Sequence, residues 1–359
     1  MTSHSSRRAS RAATALAGVA LAVLVLAGCA TSAASPSGSA DADAEAGFGD
    51  LTVQLSWIKN EEFAGEFFAD SEGYYTEAGF DSVTLVPGPS TGAAELISGS
   101  ADIAMSDAVS IGSVVASEGA PLKIIGTTYQ KNPFTVLSLK DGGDIATPED
   151  LIGKKIGVQD SNTALFKALL AANDIDESEL TIVPVQYDPA PLVNGEVDGF
   201  IAYLTNEAIT VAASGVETTN LPFADNGLPF VAETITTTDD AIANDREKLK
   251  AFLVAEIRGW TDAVNDPEGG ATLAVEEYGK DLDLNIENSI AGATEQAEKL
   301  VVSDETATNG LFTISEELQE ATIKSLAGAG IELEAADLFD LSLLAEVYEE
   351  NPDLVAYAG

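Results

Sequence analysis

Leu51 to Phe80 reads LTVQLSWIKNEEFAGEFFADSEGYYTEAGF, and the rest of the chain is understood from this stretch. Thr52 to Trp57 has the β-branched, alternating pattern of a buried strand, with Val53 and Leu55 on one face. From Glu62 the period lengthens. Phe63, Ala64, Phe67 and Phe68 recur at helical spacing up to the polar break Asp70-Ser71-Glu72-Gly73. A strand handing over to a helix leaves Trp57, Lys59, Asn60 and Glu61 at the strand's carboxyl end, where open α/β sheets bind ligands. Trp57 and Asn60 are therefore candidates to stack on and hydrogen-bond a small flat molecule. The competing use of Trp57 is to plug the strand end.

Outward from this stretch, the chain repeats itself. Strand 82–88, short helix 91–99 and strand 101–108 complete a βαβαβ unit. A second unit follows: strand 154–159, helix 162–173, strand 180–186, short helix 189–195 and strand 198–208. Each ends in a Gly-x-x-Asp-like turn, an apolar strand and a polar cluster. The clusters are Met105-Ser106-Asp107 and Leu204-Thr205-Asn206-Glu207. Two parallel-sheet lobes with matching strand ends facing each other make a cleft.

The connections agree with two lobes. Strand 122–130 and the extended run 134–140 lead to the second unit, and strand 231–238 returns, so that two crossovers form a hinge. The expected fold class is α/β, with two βαβ lobes and a helical carboxyl-terminal part. Lobe 1 is expected over 48–138 and 233–359, lobe 2 over 139–232. Thr147-Pro148 opens a helical turn, and Ser315 another helix. Past Asp239 the pattern is helical. Leu249, Phe252, Leu253, Ile257 and Trp260 share one face, which assigns Trp260 to the core, and Pro267-Glu268-Gly269-Gly270 is expected to break that helix.

Residues 1–28 read as a targeting segment. Arg7, Arg8 and Arg11 precede an apolar run, Ala12 to Leu26, too short to span a membrane comfortably. Residues 29–47 are small and polar and read as a flexible tether. About 310 further residues exceed what one core usually holds. The formal net charge of −42 repels nucleic acid and anionic lipid heads.

Residue inventory also limits the chemistry. Cys29 is the only cysteine, leaving no disulfide or thiolate for the folded part. His4, inside the targeting segment, is the only histidine, so Ser/His/Asp and Cys/His catalysis and histidine-bound metal are excluded after cleavage. A carboxylate pair, Asp107 with Glu207, remains conceivable chemistry. No enzyme, cofactor or metal is expected.

Ligand class follows from what sits at the strand ends. Beyond the targeting segment the arginines are Arg246 and Arg258, both in the helical tail. An anion has only helix starts near Ser90-Thr91 or Ser161-Asn162, and Asp107 and Glu207 oppose it. Trp57, Tyr129 and Tyr203 are placed to sandwich a ring. Asn206 and Glu207 can take an amino-and-ring-nitrogen edge. Ser106, Gln159 and Ser161 complete the candidate set. A neutral or weakly cationic heteroaromatic fits best.

Several motifs, taken in order, carry a family resemblance: Trp57-x-x-Asn60, Phe63-Ala64-Gly65, Gly73-Tyr74-Tyr75-x-Glu77-x-Gly79, Tyr129-Gln130-Lys131-Asn132-Pro133, Lys154 to Gln159 and Thr205-Asn206-Glu207. Together they resemble the solute-binding proteins of the NMT1/THI5-like group. Leu26-Ala27-Gly28-Cys29 resembles the lipobox of bacterial lipoproteins, which implies lipid on Cys29 and a site outside the cytoplasmic membrane. The resemblance implies a type II periplasmic-binding fold, with permease and ATPase subunits of an ABC importer as partners and the protein itself a monomer. It implies a thiamine-pyrimidine precursor as ligand. Riboflavin, a small sulfonate or nitrate-type anion, and a pyrimidine-synthase-like enzyme remain as alternatives. By the same likeness Trp57 and Asn60 form one pocket loop, Asn206 and Glu207 another. Phe63 stands where pyrimidine-type members often show His, and Ala208 replaces the usual Pro.

Overall fold

The opening strand is β1 (Gly49–Gln54) in a computed structural model that describes residues 47–357. The expected targeting segment, Cys29 and the tether up to residue 46 lie outside the described residues. β1 buries Leu51 and Val53, as its alternation requires. It pairs in parallel with β2 (Phe80–Val86) and β3 (Ile103–Asp107). All five residues of β3 are buried, as in a strand covered on both faces. Beyond it lie β10 (Ala232–Thr238), antiparallel to β3, and β4 (Leu122–Tyr129). The order is β2-β1-β3-β10-β4.

The second five-stranded sheet runs β7-β6-β8-β5-β9. Its parallel members are β6 (Lys155–Val158), β7 (Thr181–Pro184) and β8 (Gly199–Tyr203); its antiparallel members are β5 (Phe134–Leu139) and β9 (Thr218–Pro222). The two sheets therefore correspond strand for strand. In each, the antiparallel strand next to the third parallel strand is the one that arrives from the other sheet. Asn132 fastens the two crossovers together. Its Nδ2 donates to the Leu228 carbonyl at 2.9 Å, and its Oδ1 accepts from the Phe134 N–H at 2.8 Å.

The structure moves several expected boundaries. β5 lies in the second sheet because its backbone pairs with β8 and β9, so the crossover falls before Phe134 rather than after Ser138. β8 stops at Tyr203, and Glu207 starts the helix Glu207–Ala213 instead of ending a strand. β1 stops at Gln54, leaving Trp57 in the loop beyond it. β9 was not anticipated, since Thr-Thr-Asn-Leu-Pro places only Leu221 in the core. Pro267 does not merely break the long helix Arg246–Asn265. It occupies the first turn of a new helix, Pro267–Leu273, that contains both glycines.

From Asp239 the chain is helical, as expected. Trp260 is buried in the core against Gly65, where an added Cβ would come within 2.2 Å of the indole. Thr147 and Ser315 cap the predicted turns. Among the described residues no helix is long and apolar enough to cross a membrane.

Candidate functional site

The carboxyl ends of both sets of parallel strands contribute to one cavity, whose empty space, open solvent at its mouth included, is about 480 Å³. From the first sheet come Ser56 and Trp57 after β1, Ser90 and Thr91 after β2, and Ser106 and Asp107 at the end of β3. Gly88 lets the second of these loops close on the first. Its N–H bonds the Trp57 carbonyl at 2.6 Å, and a Cβ there would lie 2.3 Å from the Ser56 carbonyl oxygen. From the second sheet come Ser161 and Asn162, Ile201 to Tyr203, Asn206 and Glu207. Phe134, Glu62 and Glu233 complete the wall together with Ser110.

The aromatic and acidic groups have distinct supports. Tyr203 meets Phe134 edge-on at 4.5 Å and sends its hydroxyl to Glu233 Oε1 at 2.8 Å. Trp57, 9% exposed, forms wall rather than surface. Asp107 caps the helix Ala108–Glu118, accepting from the N–H groups of Val109 and Ser110 and from the Ser110 hydroxyl at 2.6–2.9 Å. Burial pushes its carboxyl up, and these bonds pull it back. Glu207 Oε2 accepts from the Tyr203 N–H at 2.9 Å. Burial pushes Glu207 up to about 7, against the pull of the Tyr203 and Glu207 N–H groups and of the Trp57 side chain. Ser161 Oγ is buried beside the cavity without a hydrogen-bond partner.

Of the candidates named from sequence, Trp57, Ser106, Asp107, Ser161, Tyr203, Asn206 and Glu207 line the cavity. Asn60, Tyr129 and Gln159 do not. Asn60 is buried and caps the turn Glu61–Phe63 through its Oδ1. Tyr129 lies inside the first lobe, its hydroxyl donating to Gln296 Oε1 at 2.7 Å. Gln159 is buried and spends its amide on the Ile201 carbonyl and Asn162. Phe63 belongs to the core, edge-on to Phe67. Asp107 and Glu207 share the wall, but each is held by backbone N–H groups, as a carboxylate at a helix start is.

The NMT1/THI5-like pattern matches residues 60–270, more than half of the sequence. This chain belongs to the NMT1/THI5-like family. A curated relative, the riboflavin-binding protein RibY of Chloroflexus aurantiacus, is 25% identical over 63% of this chain. The match spans 66% of that protein, just under two thirds of its length. Among solved structures, the periplasmic aliphatic sulphonate binding protein SsuA of Escherichia coli aligns with TM-score 0.58 and 13% identity over 86% of this chain and 95% of its own. The periplasmic nitrate-binding protein NrtA of Synechocystis PCC 6803 aligns with TM-score 0.60 and 14% identity over 86% and 91%. At such identities the likeness is one of fold, and the fold is that of periplasmic binding proteins.

Sequence reasoning missed two acidic members of this NMT1/THI5-like cavity. Glu62 was read as the start of a helix and Glu233 as one residue of an ordinary strand. For Glu233 the sequence signal is a charged residue inside an otherwise apolar and hydroxylic run; Glu62, within the polar run Lys59-Asn60-Glu61-Glu62, has none.

Proposed function

We propose that the protein is the solute-binding component of an ABC importer and captures a small planar N-heteroaromatic molecule between its two lobes. The observation that carries this reading is one cavity built from the strand ends of both sheets, walled by Trp57, Tyr203 and Phe134. The half-buried Asn206, whose side chain makes no hydrogen bond among the described residues, is left to read a ring edge. Delivery to permease and ATPase subunits, attachment outside the cytoplasmic membrane through lipid on Cys29, monomeric action and absence of turnover belong to the same proposal. Family membership and the periplasmic-binding fold support it.

Riboflavin is a second reading, favoured by the RibY relative and by the flat aromatic walls. A sulfonate or nitrate is disfavoured: no Lys, Arg or His stands among the described residues lining the cavity, and four carboxyl groups do. A pyrimidine-type ring, possessing an amino edge, suits the wall better. The test is mass spectrometry of small molecules released from the purified protein. An N-heteroaromatic compound in stoichiometric amount is expected. A sulfonate or inorganic anion in that amount would refute the reading.

A further inference from the structure

The cavity wall holds more acid than a neutral solute requires. Glu62 and Glu233 are 4% and 2% exposed, and both face the cavity. Ser56 Oγ lies 3.2 Å from Glu62 Oε1 and 3.0 Å from Glu233 Oε2, with Tyr203 on Glu233 Oε1. Glu233 stands at φ 47° where β10 slips register between Ala232 and Thr234. That is the left-handed region, which a non-glycine residue rarely adopts. No cation among the described residues answers the pair. Lys59 lies by the Tyr278 ring and Asp70, off the cavity wall. On the same wall, Ser161 Oγ is buried and unpartnered.

We infer that the cleft selects an organic cation, whose ammonium or amidinium N–H groups are received by the Glu62–Glu233 carboxyl pair. This rests on the solute-capture reading above and narrows its ligand class. Two touching carboxyls out of water do not both ionise. Burial and the Glu233 charge hold Glu62 well above its usual range, and burial pushes Glu233 up to about 7, so the empty pair holds a proton. A bound cation replaces that proton, which leaves to solvent, and the two carboxylates then accept charge-assisted hydrogen bonds from the ligand. The surrounding titratable groups act in the same direction. Glu207 and Asp107 share the wall, Glu61 and Glu66 lie behind it, and the Tyr129 and Tyr203 phenols are held protonated by burial and these charges. Among the described residues no group of three or more acidic, Cys or His side chains is arranged to hold a metal ion.

The experiment is calorimetric titration of wild type, Glu62→Gln, Glu233→Gln and Trp57→Ala with benzamidinium, benzamide and benzoate. It is run near pH 8, above the value of about 7 to which burial pushes Glu233, in two buffers of different ionisation enthalpy. Benzamidinium should bind at least roughly ten-fold more tightly than benzamide, with benzoate weakest and up to about one proton released per cation bound. Both Gln variants keep the side-chain shape. They should lose the ten-fold preference and the proton release while unfolding as cooperatively as wild type. Equal binding of cation and neutral isostere, preference for benzoate, or binding of none of the three overturns the charge assignment. Trp57→Ala separates the two readings. Uniform weakening of all probes without charge preference leaves a cleft that captures flat solutes but does not read charge. No change on Trp57→Ala removes the cleft as the site.

Discussion

The hydroxyl of Tyr203, at the end of β8, donates to Glu233 Oε1 of β10 at 2.8 Å, so one hydrogen bond joins the two sheets across the cavity. From the other side of the cleft, the Trp57 side chain favours the charged form of Glu207 against its burial. The helix Ile286–Gln296 also bridges the lobes, packing on the loop after β8. Tyr203→Phe keeps the ring against Phe134 and removes only the bond. A closed form weaker by about 0.5–1.5 kcal/mol is expected. Calorimetry should show looser solute binding with an unchanged unfolding midpoint for the ligand-free protein. Unchanged affinity would mean that the bond does not contribute to closure.

Gly292 provides a test of closure away from the cavity wall. It lies in the helix Ile286–Gln296, where an added Cβ would come within 2.5 Å of the Thr205 carbonyl oxygen and 2.7 Å of Glu61 Oε1. Thr205 belongs to the loop after β8, so this helix of the tail packs directly on the second lobe's binding loop. Gly292→Leu should wedge that loop away while leaving both sheets intact. Small-angle scattering with saturating solute should give a larger radius of gyration than wild type, and affinity should fall. The same scattering curve for both proteins would show that the loop moves aside without opening the cleft.

Buried carboxyls make stability depend on pH in a direction opposite to the common one. Burial pushes Glu61, Glu207 and Glu233 up to about 7 and Glu256 to about 8, from 4.5. The folded state therefore holds protons that the unfolded chain gives up. Stability from these groups is full below the unfolded value near 4.5 and is lost as pH rises through 7 to 8. Asp144, Asp150 and Asp176, lowered from 3.8 by hydrogen bonds, act in the usual sense but only in stronger acid. Ligand-free protein should lose stability steadily between pH 5 and pH 8. Thermal unfolding across that range measures it, and a rising midpoint would contradict the argument.

Lipid attachment is tested at Cys29. Replacement by Ser should release the protein into the medium with its unfolding transition intact, because no disulfide depends on the lone cysteine. Membrane-associated Cys29→Ser protein would refute an anchor at that residue.

Much of the architecture is written locally. Alternation in Thr52–Trp57, the helical period after Glu62, the capping residues Thr147 and Ser315, and the echo between 52–108 and 154–208 all follow from neighbours a few residues apart. So do the apolar face of Arg246–Asn265 and the burial of Trp260. Family motifs named the two loops that line the cavity, at Trp57 and at Asn206-Glu207. Other decisions required the chain to meet itself. β5 joins the second sheet only through pairing with β8 and β9, and β9 has too little apolar pattern to declare itself. Tyr129 and Tyr203 look equivalent in sequence, yet one bonds Gln296 inside the first lobe and the other spans the cleft. Glu233 reads as an unremarkable strand residue until the register slip in β10 sets it at the cavity beside Glu62. Period fixes which side of its own strand a residue occupies. Which side becomes core, and which carboxyl loses its water, is fixed by strand register and crossovers between residues far apart in sequence.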